Sequence, residues 1–390
     1  MLVDVPLVLK DEILYTYYLL YCYIVCKILF NFGMNRVAFR RLYPLIIKFV
    51  FNMKNQKIYI AAFAMVLLQS CATNVGIGSK SFQKYYSSIK ADELKKNLYV
   101  IADDNMEGRD TGSAGQKRAG EYMINYYKNL GISHPSALDS YYQKVPADFM
   151  NQKSRGKGLP DSENILAFIP GSEKPDEIVV ISAHYDHVGT KNGVVYNGAD
   201  DDGSGTVAVM QIAKAFQEAK NEGKGPKRSI LFLHVTGEEH GLFGSEWYSE
   251  NPVFPVTNTV VDLNIDMIGR DDPENRGKQY VYVIGSEMLS SELKKINEEA
   301  NAKTVNLELN YKYDDPKDPQ RLYYRSDHYN FAKHNIPVAF FFDGIHEDYH
   351  KPTDDPDKID YQLLQKRAQL VFSTAWELAN RPERIVVDKK

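Results

Sequence analysis

Four apolar runs punctuate the chain, and each is followed at once by acids, histidines or both. Ile178–Ser182 leads to His184 and Asp186, and Ile230–Val235 leads to Glu238 and Glu239. Val260–Ile265 leads to Asp266, and Pro337–Phe342 leads to a loop holding His346, Asp348 and His350. Short runs without a polar face fit strands buried on both sides. Between and after them, helical spacing predicts helices over Val207–Ala219, Glu292–Ala300, Tyr329–His334 and Tyr361–Leu378. Tyr141–Ala147 and Glu163–Ile169 predict short edge strands, with a polar surface loop over 148–162. A helical pattern over 89–130 is interrupted by the Gly-rich Glu107–Gly115. Without a Lys-Ser/Thr ending, that stretch reads as a connection between helices rather than a phosphate cradle. Alternation of strands and helices predicts an α/β fold: one phosphorylase/hydrolase-like domain, with a mostly parallel, mixed and twisted sheet covered by helices on both faces. Its site belongs at the carboxyl ends of the strands.

The first seventy residues follow another pattern. Residues 13–32 are apolar and rich in tyrosine; a basic Lys54–Lys57, an apolar Ile58–Leu68 and a closing Leu68-Gln-Ser-Cys71 follow Met53. That second layout is the layout of a secretory signal peptide, and its ending resembles a bacterial lipobox with Cys71 as the lipid-bearing residue. The expected division is therefore an upstream extension at 1–52, a lipoprotein signal peptide at 53–71, a polar tether at 72–84 and the folded domain at 85–390. Such a protein is exported and sits in the periplasm or at the outer membrane, touching the membrane only through its N-terminal lipid. A span at 13–32 is the alternative; it is long enough, but Lys27 and the tyrosines suit it poorly.

Charge and cysteine usage narrow the chemistry. The 390 residues carry a formal net charge of -4, which gives no basic field for nucleic acid. All three cysteines, Cys22, Cys26 and Cys71, precede residue 72, so a metal in the body must be held by imidazole and carboxylate. His184 and Asp186 lie two apart at a strand end and project to one side. Asp186 is thus expected to fix the far nitrogen of His184 while the near one binds metal; His187 is expected to point away. Gly198–Gly205 places Asp200, Asp201 and Asp202 in one glycine-flanked turn, where three acids repel unless offset. Asp266, after an apolar strand, needs a partner. A mixed His/carboxylate set suits catalytic zinc. Five or six such donors are too many for one ion and fit two ions sharing a carboxylate. His234 reads as a core residue, His328 as structural, and His240 and His346 as cleft lining without metal. Phe243, Trp247 and Tyr248, at helical spacing, read as core rather than substrate pocket.

Taken in order, SAHYDHVG, NGADDDGSG, VTGEEHGLFGS, NIDMIGR, RSDHYNFA and DYHKPTDD resemble the motifs of the co-catalytic di-zinc aminopeptidases of peptidase clan MH, family M28. The resemblance covers roughly Asp92–Leu378. It implies two Zn²⁺ per chain, one held by His184, Asp201 and Asp266 and the other by Asp201, Glu239 and His350, with Asp201 shared. It also implies Glu238 as general base for a hydroxide bridging the ions, Asp186 behind His184, and Tyr323 as oxyanion donor. The peptide bond after the bridging acid, Asp201–Asp202, is often cis in relatives. The implied activity is removal of N-terminal residues from peptides. A carboxypeptidase, a dipeptidase or a glutaminyl cyclase on the same scaffold remains open, as does a binding protein of this fold without catalysis. A cyclase implies one zinc and an incomplete bridging set; a binding protein implies replaced ligands or a missing Glu238.

Overall fold

In the computed structural model, which describes residues 76–154 and 157–389, the apolar runs become strands somewhat longer than the runs themselves. The strands are β1 (Tyr142–Val145), β2 (Ser162–Ile169), β3 (Lys174–His184), the small β4 (Thr190–Lys191) and β5 (Val194–Val195), β6 (Arg228–Val235), β7 (Thr259–Ile265), β8 (Tyr280–Ile284), β9 (Glu308–Asn310) and β10 (Val338–Phe342). Strands β4 and β5 pair with each other; the remaining eight form one sheet in the order β1-β2-β6-β3-β7-β10-β8-β9. Its middle, β6-β3-β7-β10, is parallel throughout. Antiparallel pairings lie outside that middle, between β1 and β2, β2 and β6, and β10 and β8. Four adjacent carboxyl ends therefore open on one edge of the sheet.

Strand periodicity divides the core into two layers. Val179, Ile181 and Ala183 of β3 and Ile230 and Phe232 of β6 face one apolar cluster, completed by Val207, Phe216 and Trp376. Ile178, Val180, Leu231, Leu233 and Val235 face the other, completed by Tyr248 and Phe331. Parallel strands covered on both sides leave no polar face, hence the unbroken apolar runs. The flanking helices Gly205–Asn221 and Tyr361–Asn380 carry Phe216 and Trp376 into the first layer.

Two local expectations need correction. The tether expected at 72–84 is helix from Lys80: Lys80–Tyr86 is capped by Ser79 and buries Phe82 and Tyr85 against Phe372 and Trp376. The loop expected over 148–162 opens with the helix Ala147–Lys153, whose Met150 is buried. Strands β8 and β9 were not foreseen; Tyr280–Ile284 is as apolar as the other runs but ends in no acid. The readings of 1–52, of 53–71 and of Cys71 lie outside the described residues. Among the described residues, no helix is long and apolar enough to cross a membrane.

His234 is buried in β6, as a core histidine should be, with Nε2 2.6 Å from the Tyr127 hydroxyl. Burial pushes its imidazole down to about 3. The unfolded chain therefore binds this proton below about pH 6.5 while the fold excludes it, so the contribution of neutral His234 is lost as pH falls through that window. The stability advantage of wild type over His234→Gln should shrink by about 1.4 kcal/mol per pH unit between pH 6.5 and 4, measured by urea unfolding. A pH-independent difference would show that the imidazole takes up its proton inside the fold.

Candidate metal centre

Four side chains reach the sheet edge from the strand ends already described. His184 is the last residue of β3, Glu238 and Glu239 follow β6, and Asp266 directly follows β7. His350 lies in the loop after β10 with φ 54°. The sixth contributor, Asp201, comes from the turn Ala199–Ser204 leading into the Gly205–Asn221 helix. The Asp201–Asp202 peptide bond is cis.

The geometry divides these groups into two sets joined by one carboxylate. His184 Nε2 lies 3.2 Å from Asp201 Oδ1 and 3.6 Å from Asp266 Oδ1. His350 Nε2 lies 2.9 Å from Asp201 Oδ2 and 3.0 Å from Glu239 Oε2. Each oxygen of Asp201 thus faces a different imidazole. Glu238 stands slightly back, 4.0 Å from His184 Nε2, and lines the open cleft with Asp201 and Asp266.

Electrostatics call for cations here. His184 Nε2, Asp201 Oδ2 and Glu239 Oε1 are buried, and although ring nitrogens or carboxylate oxygens face them at 2.8–3.2 Å, none of these contacts has hydrogen-bond geometry; a buried polar atom left so costs about 1–3 kcal/mol unless something else engages it. Burial alone would lower His350, yet Asp201 and Glu239 push it up to about 10. His184 is likewise raised, against its burial, by Glu238, Asp266 and Asp201. The acids around both imidazoles call for positive charge, and divalent ions bound by neutral imidazoles would satisfy that requirement. Glu238 behaves differently: burial pushes its carboxyl well above the usual range, Asp266 and Glu239 add to this, and His184 opposes it.

The other two acids of the Asp200–Asp202 triple are used within the protein. Asp200 accepts the Gly269 N–H at 2.7 Å and lies 3.1 Å from His346 Nε2. Asp202 accepts from the N–H groups of Gly205 and Met267. Asp354 accepts the N–H groups of Asp200 and Asp201, which ties the His350 loop to the Asp201 turn. Arg109, fully buried, donates to the carbonyls of Ile101, Tyr185, Asn197 and Gly198 and so pins the segments after β3 and before Asp201. The Gly-rich stretch read as a mere connection therefore carries the clamp of the site.

Three expectations about single residues change. The Asp186 carboxylate does not hold His184: Oδ1 is 3.8 Å from Nδ1, whereas the Asp186 carbonyl oxygen is at 3.0 Å. Its carboxylate instead accepts from the Thr111 hydroxyl and the Glu238 N–H, because the chain turns immediately after β3. For the same reason strand alternation fails for His187. It faces the site, with Nδ1 2.8 Å from Glu239 Oε1, and Gly198 leaves room for its ring. Tyr323 does not reach the cleft. In the 3-10 turn Leu322–Tyr324, positions three apart share a face, so Leu322 and Arg325 line the cleft while Tyr323 packs among Tyr324, His328 and Tyr329. The phenol beside the acids belongs to Tyr349, whose ring stacks on His350 at 3.9 Å. Burial and the carboxylates of Asp201, Glu238, Glu239 and Asp266 push that phenol well above its usual range, so it stays a donor. Adjacency to His350 was the available sequence signal.

His240 pairs with Asp110 at 2.9 Å, and His328 stacks on Phe340. As His187 orients Glu239, His187→Ala should weaken zinc binding about 10- to 100-fold in competition with a chromophoric chelator. Unchanged affinity would show that this imidazole does not support the centre.

Comparison with known proteins bears on the family and the fold. The model of Peptidase family M28 matches residues 164–375. A probable leucine aminopeptidase of Arthroderma otae is 30% identical over 224 residues, 55% of this chain and 57% of that protein. Matches to the first curated relatives span 10% to 57% of their lengths. Among solved structures, the LapA aminopeptidase of Legionella pneumophila superimposes with a TM-score of 0.60 at 18% identity, covering 77% of this chain and 74% of that one. A zinc aminopeptidase from Bacillus subtilis gives 0.59 at 16% identity, covering 77% and 99%. At such identities the structural likeness establishes the α/β fold.

Proposed function

Because the chain belongs to peptidase family M28, we propose that it is a two-zinc exopeptidase that removes N-terminal residues from peptides. The observation that carries this reading is Asp201, whose two oxygens face the His184 and His350 sets separately. His184, Asp201 and Asp266 hold one ion in this reading, and Asp201, Glu239 and His350 hold the other. Zinc bound there supplies a water of lowered pKa and polarises a carbonyl oxygen.

The chain's own groups do the rest. Glu238, facing the cleft and outside both close donor pairs, accepts a proton from the attacking water and returns it to the leaving amine. Tyr349, kept protonated, donates to the oxygen that gains charge at the scissile carbonyl. Asp201, Glu238 and Asp266 give the cleft an acidic wall that draws a protonated N-terminus. Export by the 53–71 signal, with acylation at Cys71, forms part of the same reading. Globomycin treatment of expressing cells should accumulate the precursor, and processing that continues unchanged would refute it.

A panel of aminoacyl-p-nitroanilides, dipeptides and N-acetylated peptides tests the activity, with and without chelator. Turnover of the free-amine substrates alone, lost with chelator and restored by zinc, is expected. Cleavage of the acetylated peptides from their C-termini would replace this reading with a carboxypeptidase.

A further inference from the structure

Arg325 is the cationic side chain of the cleft wall among the described residues, and it sits on the same wall as Asp201, Glu238 and Asp266. It is exposed, and among the described residues no ion pair, side-chain hydrogen bond or ring contact engages its guanidinium. Its backbone, by contrast, is fixed. The Arg325 N–H donates to Leu322, and the hydroxyl of neighbouring Ser326 donates to Asp266 Oδ2 at 2.7 Å while accepting from Asn264 Nδ2 at 2.9 Å. A free cation is thus carried on a turn anchored directly to a carboxylate of the metal centre.

The nearby acids do not satisfy it. Asp201 and Asp266 point to His184, and bound cations would occupy them further. What remains is a planar donor fork facing an open cleft, and the group that matches it in geometry and charge is a carboxylate. Beyond those acids, the lining residues Leu322, Phe340, Phe342 and Ile345 are apolar and add no further anion.

We infer that Arg325 binds a carboxylate that the peptide substrate carries close to the scissile bond, making it a specificity determinant; the inference rests on the exopeptidase reading above. The preferred substrates are then dipeptides with a free C-terminus, or peptides with an acidic residue beside the cleaved bond.

The test uses zinc-loaded wild type, Arg325→Ala and Arg325→Lys, and peptides beginning with the residue best cleaved in the panel above. One pair compares Xaa-Gly with Xaa-Gly-amide, the other Xaa-Asp-amide with Xaa-Asn-amide. In wild type, kcat/KM should favour the carboxylate member of at least one pair by about tenfold or more, mainly through KM. Preference in the first pair assigns the C-terminal carboxylate, and preference in the second assigns the side chain. Arg325→Ala should bring the ratio close to one with zinc content and Tm retained, and Arg325→Lys should keep part of it. Ratios near one in wild type, with all four peptides cleaved, overturn the inference and leave the exopeptidase reading intact. An unchanged ratio in Arg325→Ala overturns it equally. Should that variant lose zinc or unfold, the same ratios in Arg325→Lys and Arg325→Gln decide. No hydrolysis in the panel itself strikes the exopeptidase reading first.

Discussion

Glu238→Gln should retain its zinc and lose about a hundred- to ten-thousandfold in kcat, with KM little changed. The substitution preserves shape and removes the ability to take a proton. Glu238 is the acid of the centre that lines the cleft while standing 4.0 Å from the nearest imidazole, beyond the 3.2 Å contact between His184 and Asp201. Burial already disfavours its charged form, which moves its proton affinity towards that of an effective general base. A competing role is explicit in the geometry, because ligand atoms of His184, Glu238 and Asp266 all lie within 4.8 Å of one another. If Glu238 were a ligand, the variant would lose zinc together with activity. Near wild-type kcat would instead place the proton acceptor elsewhere.

Asp201→Ala is expected to have the second large effect. It removes one donor from each set and leaves His184 with Asp266, and Glu239 with His350. Two protein donors fall short of the three that catalytic zinc sites keep, so zinc content should drop well below one ion per chain and activity should vanish. The loss should also show in stability, since an ion that binds only the folded state raises Tm. Wild type should gain Tm on addition of zinc and Asp201→Ala should gain none. An equal gain in both would remove Asp201 from the centre.

The sequence made the scaffold of the site legible because its chemistry follows unbroken apolar runs. Val260–Ile265 followed by Asp266, and Ile230–Val235 followed by Glu238 and Glu239, announce parallel strands whose ends hold acids. Asp201 could be singled out only through resemblance, since spacing does not rank three consecutive acids; in the fold, backbone donors engage Asp200 and Asp202 while Asp201 turns to the imidazoles. What escaped depends on backbone direction beyond the strands. The turn after His184 brings His187 into the site, and the 3-10 turn before Ser326 sends Arg325 to the cleft and Tyr323 away from it. The helix Lys80–Tyr86 was hidden by its polar composition, although Phe82 and Tyr85 anchor it by tertiary packing.

Crystals of the zinc-loaded protein, measured at the zinc absorption edge, test the central claim most directly. Two anomalous peaks per chain about 3.5–4 Å apart, with the Asp201 carboxylate between them, are predicted. A single peak, or two peaks that do not share Asp201, would contradict it.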